Sequence, residues 1–325
     1  MKLEFSSPSA EIAKKYDEIF PVKNCFIEVN PGRVYLPRKF AEIGESIKDL
    51  NIYDDDVWLV SYPRTGSTWA QEMIWLLGNN LDYEGAKKVQ QVRCPVVELS
   101  AVFGEDHFDW VAKSIGNTVD YVRNMERKRF IRSHLPWHLL PNEIDSVNPK
   151  IIYTARNPKD LCVSFYHYCK LIHGLNGTFE DFCEMFLSDQ SPIGSYWKHV
   201  LPFWNRKDQD NLLFLKYEDM NRSLPKVVTQ CVEFLEVDLE LSEKTMDKIC
   251  DHLNFNKMQT NPAVNLDPLI NHEANNVPKN NDTEKFIRKG KIGDWKNYIS
   301  KDMSEKFDIW IDENTKGSNL EFDYE

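Results

Sequence analysis

No stretch of this sequence approaches the about 18 uninterrupted apolar residues that a membrane-crossing helix requires. Met1–Phe20 break up their apolar residues with charge and serine, so they hold no apolar run of the kind that forms a signal-peptide core. The chain is therefore expected to stay where it is made, in the cytoplasm. A cysteine framework is missing too: seven cysteines, an odd number, lie at irregular spacing without a Cys-x-x-Cys pair, which reads as reduced thiols. The Asn-x-Ser/Thr sequons at Asn176, Asn221 and Asn281 then carry no meaning for glycosylation. Basic excess is absent. A formal net charge of −11 argues against nucleic acid and against an anionic membrane as partners. It also repels an anionic cofactor, so a site for one demands cations gathered locally. Repeats, low-complexity tracts and Gly/Ser linkers are lacking, and residues 1–325 read as a single domain.

What is present is an alternation of apolar runs and helical patterns. Val57–Tyr62, Arg129–Ser133, Lys150–Thr154 and Asn211–Tyr217 are rich in β-branched and aliphatic residues without period-two alternation, as in strands covered on both faces. Helices are predicted at Trp69–Leu77, Pro158–His173, Thr178–Leu187, Leu224–Leu235 and Ser242–Leu253. The result is an α/β fold with a central parallel sheet flanked by helices, in which ligands bind beyond the carboxyl ends of strands. Residues 259–290 are rich in asparagine and carry three prolines, which reads as a long loop covering a cofactor or substrate.

Three segments carry anion chemistry, the first two of them at such strand ends. Ser61–Trp69 joins a strand directly to a helix; Gly66 permits a tight turn, and Thr65, Ser67 and Thr68 add hydroxyls to the helix N-terminus. In a nucleoside triphosphatase loop a lysine would stand at Ser67 and a glycine at Ser61, and here the cation is Arg64 instead. Arg156 follows the third strand, and Ser164 lies one to two turns into the next helix; the two converge on one phosphate, or Arg156 simply pairs with Asp160. Phe286–Trp295 sets Arg288, Lys289 and Lys291 among glycines that allow close backbone approach to a ligand. His134 sits past the second strand, where an imidazole suits deprotonation of a hydroxyl near neutral pH. His138 follows four residues later, but Pro136 intervenes and no acid accompanies the pair, so no metal is expected.

The string Tyr62-Pro63-Arg64-Thr65-Gly66-Ser67-Thr68-Trp69 resembles the 5′-phosphosulfate loop of cytosolic sulfotransferases, with Arg64 at the usual lysine. Arg156-Asn157-Pro158-Lys159-Asp160 with Ser164, and Arg288-Lys289-Gly290 through Trp295, are similar to that family's 3′-phosphate motifs. Arg132-Ser133-His134-Leu135-Pro136 resembles its catalytic motif, again with arginine for lysine. The resemblance runs from about Phe20 to Trp310. It implies a P-loop-like site for 3′-phosphoadenosine 5′-phosphosulfate (PAPS), the product being adenosine 3′,5′-bisphosphate (PAP), without a metal. By it His134 is the base, Arg64 and Arg132 stabilise charge, and Ser164 guards the donor against idle hydrolysis. Trp69, Tyr217, Leu253, Phe255 and Met258 surround the adenine, with Leu253 replacing a usual threonine. Val96, Leu99 and Tyr168 line an acceptor pocket for a small apolar alcohol, phenol or steroid. The family's C-terminal dimerisation motif is altered at its centre, at Ser300-Lys301, which leaves a homodimer open. Three other readings stand beside this one. They are a P-loop kinase with Asp219 as its magnesium acid, a PAPS- or PAP-binding member with weak catalysis, and a dehydratase acting through a sulfated intermediate.

Overall fold

Strands that bury both faces need partners on both sides, and the four apolar runs find them in one sheet. In the computed structural model, which describes residues 2–102, 114–267 and 284–325, three short strands come first: β1 (Glu4–Ser6), β2 (Phe26–Asn30) and β3 (Val34–Pro37). They form a small antiparallel sheet in that order. The central sheet contains β4 (Val57–Ser61), β5 (Phe130–Ser133), β6 (Lys150–Ala155) and β7 (Leu212–Lys216), in the order β5-β4-β6-β7 with every pairing parallel.

The side chains of these strands alternate between two apolar layers. Trp58, Val60, Ile131, Ile151 and Tyr153 belong to one core. Val57, Leu59, Phe130, Ile152 and Leu215 belong to the other, against the helices Ser67–Gly78 and Leu224–Leu235. Both sets are apolar, which is why no alternation shows in the sequence.

The helix Pro158–His173 starts where its residues dictate. Asn157 caps it by accepting the amide of Asp160, and Pro158 occupies the first turn, where no backbone donor is needed. Thr178 and Ser242 cap the helices Phe179–Leu187 and Glu243–His252 in the same manner. Helices Tyr196–Trp204 and Lys301–Thr315, and the antiparallel sheet, were not anticipated from the sequence. The stretch 259–290 opens inside a short helix, Phe255–Thr260, and its residues 268–283 lie outside the described ones. Among the described residues no helix is long and apolar enough to cross a membrane.

Candidate active site

Sheet register decides which residues meet. β4 and β5 align Val60 with Ser133, so Ser61 and His134 emerge side by side. β6 and β7 align Ala155 with Lys216, which places Arg156 against Tyr217, its guanidinium carbon 4.3 Å from the ring centroid. One cavity lies at these strand ends, with about 1250 Å³ of empty space counting its open mouth. It is lined by Arg64, Gly66, Ser67, Thr68, Trp69, Arg132, His134, Arg156, Ser164, Tyr217 and Arg288. Leu253, Phe255, Met258, Lys289 and Gly290 complete one wall, and Val96, Leu99 and Tyr168 another. Thr65 is the exception among the sequence candidates. Its buried hydroxyl donates to the Tyr62 carbonyl at 2.9 Å and meets Thr154 Oγ1 at 3.1 Å, holding the turn instead of facing the cavity.

The loop after β4 needs its glycine. Gly66 has φ of 89°, and a Cβ there would stand 2.6 Å from Tyr217 Cδ2. Arg64 is also left-handed, with φ of 71°, a strained conformation for a long side chain. That backbone sends its guanidinium between the rings of Tyr168 and Phe286, 5.3 Å from each centroid. There Nε donates to Ser164 Oγ at 3.2 Å and Nη2 to the Phe286 carbonyl at 2.7 Å. Burial lowers the Arg64 pKa to about 10, and Arg156, Arg288 and Arg132 add repulsion.

His134 has a defined tautomer. Nδ1 faces the Ser61 carbonyl at 2.9 Å, and a carbonyl can only accept, so Nδ1 carries the proton. Nε2 is then the bare nitrogen, taking an N–H from Arg132 Nη2 at 2.9 Å. Burial and then the Arg132 charge push the His134 pKa well below the ordinary imidazole value. Arg132 also donates to Gln71 Oε1 at 2.8 Å and Ser67 Oγ at 2.6 Å, which ties the phosphate loop to the imidazole.

The late basic segment is fastened to the helix Pro158–His173. Asp160 does not pair with Arg156; its carboxylate accepts the Gly293 amide at 2.8 Å, the Trp295 amide at 2.9 Å and Asn157 Nδ2 at 2.9 Å. Arg288 and Lys289 share Asp294 at 2.7 and 2.8 Å. Burial alone would raise the Asp294 carboxyl, but hydrogen bonds from Lys289, Asn297 and Arg288 hold it at about 2. Gly290 has φ of 66°, and a Cβ there would stand 2.3 Å from Phe255 Cδ2. Asp219 is exposed and does not line the cavity. Among the described residues no group of three His, Cys, Asp or Glu side chains could hold a metal ion.

Sequence reasoning missed several residues that hold this arrangement: Gln71, Glu98, Asp160 as a latch, His199 and the Phe286 carbonyl. Glu98 left one trace, a lone acid in the apolar run Pro95–Leu99.

These elements gather four arginines and a neutral imidazole around one cavity at the strand ends of an α/β fold. A sequence model of the sulfotransferase domain matches residues 54–319. Luciferin sulfotransferase of Photinus pyralis is 36% identical, over 98% of this chain and 87% of its own length. Sulfotransferase 1E1 of Bos taurus is 33% identical, over 90% of this chain and 94% of its own. Retinol dehydratase, solved in complex with retinol and PAP, superposes with a TM-score of 0.85 at 28% identity, covering 99% of both chains. The chain belongs to the sulfotransferase family of enzymes.

Proposed function

We propose that the chain, acting as one cytoplasmic domain, transfers a sulfuryl group from PAPS to the hydroxyl of a small, mostly apolar alcohol, phenol or steroid. The observation that carries this reading is the convergence of Arg64, Arg132, Arg156 and Arg288 with His134 on one cavity. The fit to a nucleotide with two anionic ends rests on unfilled donors. Nε of Arg132, Arg156 and Arg288 is buried without any hydrogen-bond partner, and buried donors of this kind call for an anion. Arg156, Ser164 and Arg288 suit the 3′-phosphate; Arg64, Ser67 and Thr68 suit the phosphosulfate. Trp69, Tyr217, Phe255 and Met258 are placed to enclose the base. No lysine stands in the loop for a triphosphate, because Ser67 holds that position with its oxygen engaged by Arg132. Seven free cysteines support a reducing compartment.

Bound PAPS supplies an activated sulfuryl group. His134 Nε2 takes the acceptor's proton once the Arg132 N–H gives way to the incoming hydroxyl. Arg64 and Arg132 would stabilise the negative charge that grows on the sulfuryl and leaving oxygens. Val96, Leu99, Tyr168 and Phe286 offer an apolar wall to the acceptor, consistent with the retinol and androsterone that retinol dehydratase binds. That likeness also favours a second reading, in which the sulfated product loses its sulfate and the net change is dehydration.

The test is an acceptor screen with PAPS read by mass. Gain of one sulfuryl group supports transfer, and loss of one water supports the second reading. The His134→Ala variant should bind PAP as tightly as the wild type and turn over about 10²–10⁴ times more slowly. Full activity in that variant would refute the base assignment.

A further inference from the structure

Two fully buried groups outside the cavity meet the main chain of His134, one on each side. The His134 amide donates to Glu98 Oε1 at 2.5 Å. Glu98 Oε2 takes the hydroxyl of Ser133 at 3.0 Å, and that hydroxyl oxygen accepts the amide of Leu135 at 3.0 Å. On the other side the His134 carbonyl lies 3.0 Å from His199 Nε2, which must be the protonated nitrogen. His199 Nδ1 is then bare and takes the Tyr153 hydroxyl at 2.8 Å. Neither Glu98 nor His199 lines the cavity, and both are at most 1% exposed.

We propose that Glu98 and His199 are positioning residues that grip the peptide groups flanking the His134 side chain and so fix where its bare nitrogen stands. This rests on His134 being the proton acceptor. The need for such a grip follows from the site. When an acceptor hydroxyl replaces Arg132 at Nε2, the imidazole keeps Ser61 as its other side-chain anchor. Rotation of either flanking peptide would then swing the ring, and misplacement by about 1 Å can cost a factor of about 10² in rate.

Glu98 is moreover an expensive residue to bury. Burial raises its carboxyl to about 7, its hydrogen bonds from His134 and Ser133 and then the nearby charge of Arg132 on β5 offset this in part, and Tyr168 on the helix Pro158–His173 is a further titratable neighbour. Its hydrogen bonds go to Ser133 and His134, and among the described residues no cation is in direct contact. A cost of this kind is kept for a site more readily than for a core. His199 behaves as a fixed neutral strut: burial lowers its pKa to about 3, so it holds its tautomer across the working range.

The experiment compares Glu98→Met and His199→Phe, which remove the bonds, with Glu98→Gln and His199→Gln, which can restore one partner to His134. Each is made in the wild type and in His134→Ala, and kcat, acceptor KM, PAP affinity and Tm are read for all. In the wild type, the first pair should lower kcat on the order of 10²-fold with PAP affinity unchanged, and the Gln variants should recover most of it. In His134→Ala the same substitutions should leave the residual rate unchanged. A full loss in the His134→Ala background, or wild-type kcat in Glu98→Met and His199→Phe, overturns the proposal. Should either variant fail to fold, Glu98→Ala or His199→Ala, which removes the same bonds, takes its place in the cycle with His134→Ala. If His134→Ala is itself fully active, it is the base assignment that fails.

Discussion

At the scale of single residues, the site is governed by charges that burial makes costly. Glu98 shows the sign most clearly. Its carboxyl lies at about 7 in the folded chain against an ordinary 4.5, burial being the first cause. Between those two values the folded state binds the proton and the unfolded state does not, so Glu98 contributes stability that is present below pH 4.5 and lost as pH rises to about 7. His199 opposes it, since burial lowers that imidazole to about 3 and makes protonation favour unfolding as pH falls below its ordinary 6.5. The two contributions nearly cancel in the wild type through much of the acid range, so the effect must be read as a difference. The unfolding free energy of the wild type minus that of Glu98→Gln should fall by about 3 kcal/mol between pH 4.5 and pH 7, then stay level. Denaturant titrations at several pH values check this, and a difference independent of pH would show that Glu98 is not held protonated by burial.

At the scale of elements, what matters is which strand end meets which helix start. The segment carrying Arg288 and Lys289 is not adjacent in sequence to the phosphate loop; it is held there by bonds from Arg64 to the Phe286 carbonyl and from Arg156 to the Lys291 carbonyl, together with Asp160, whose carboxylate caps two of its amides. Removing that acceptor should loosen the segment. Asp160→Ala is predicted to weaken PAP binding tenfold or more, since each charge-assisted bond is worth about 1.5–3 kcal/mol. At saturating PAPS the same variant should keep most of its kcat, because Arg132 and His134 sit at the end of β5, away from the helix that carries Asp160. Calorimetry and steady-state kinetics separate the two, and unchanged PAP affinity would show that the bonds from Arg64 and Arg156 hold the segment without Asp160. This latch was not legible in the sequence. Asp160 stands four residues from Arg156 and reads as its ion-pair partner, whereas Gly293 and Trp295 are remote along the chain. The four central strands were legible, since covered strands are apolar on both faces, and so was the helix Pro158–His173 through its proline and the acid in its first turn. The first antiparallel sheet was not, because its strands are short and Phe26–Asn30 mixes apolar with polar residues. Most of the cavity residues were readable because anion chemistry concentrates arginine, glycine and hydroxyls in short strings. Thr65 shows the limit of that reading: a hydroxyl inside such a string can serve the turn instead of the ligand.

At the scale of the whole molecule, a chain of net charge −11 holds a niche of four arginines. The arginines repel one another, which adds to burial in lowering the Arg64 pKa, and they stand around donors with no partner. An anion that fits should therefore stabilise the fold twice over, by direct bonds and by relief of that repulsion. For any ligand that binds only the folded chain, the gain at about 100 times its dissociation constant is about 2.7 kcal/mol. In a chain of this size that corresponds to a rise in Tm of several degrees. PAP is predicted to produce it. ATP at the same concentration should produce much less, because it carries no 3′-phosphate for Arg156, Ser164 and Arg288 and finds no lysine in the loop for its triphosphate. Inorganic sulfate at matched ionic strength separates fit from mere charge: screening acts within about 8 Å at physiological salt on any exposed cation, whereas the unpartnered Nε donors are buried and directional. Thermal scans with PAP, ATP and sulfate side by side therefore read the architecture directly. Equal protection by all three would mean that the arginines form a general anion patch, and equal protection by PAP and ATP would mean that the niche reads adenine and the 5′ end alone.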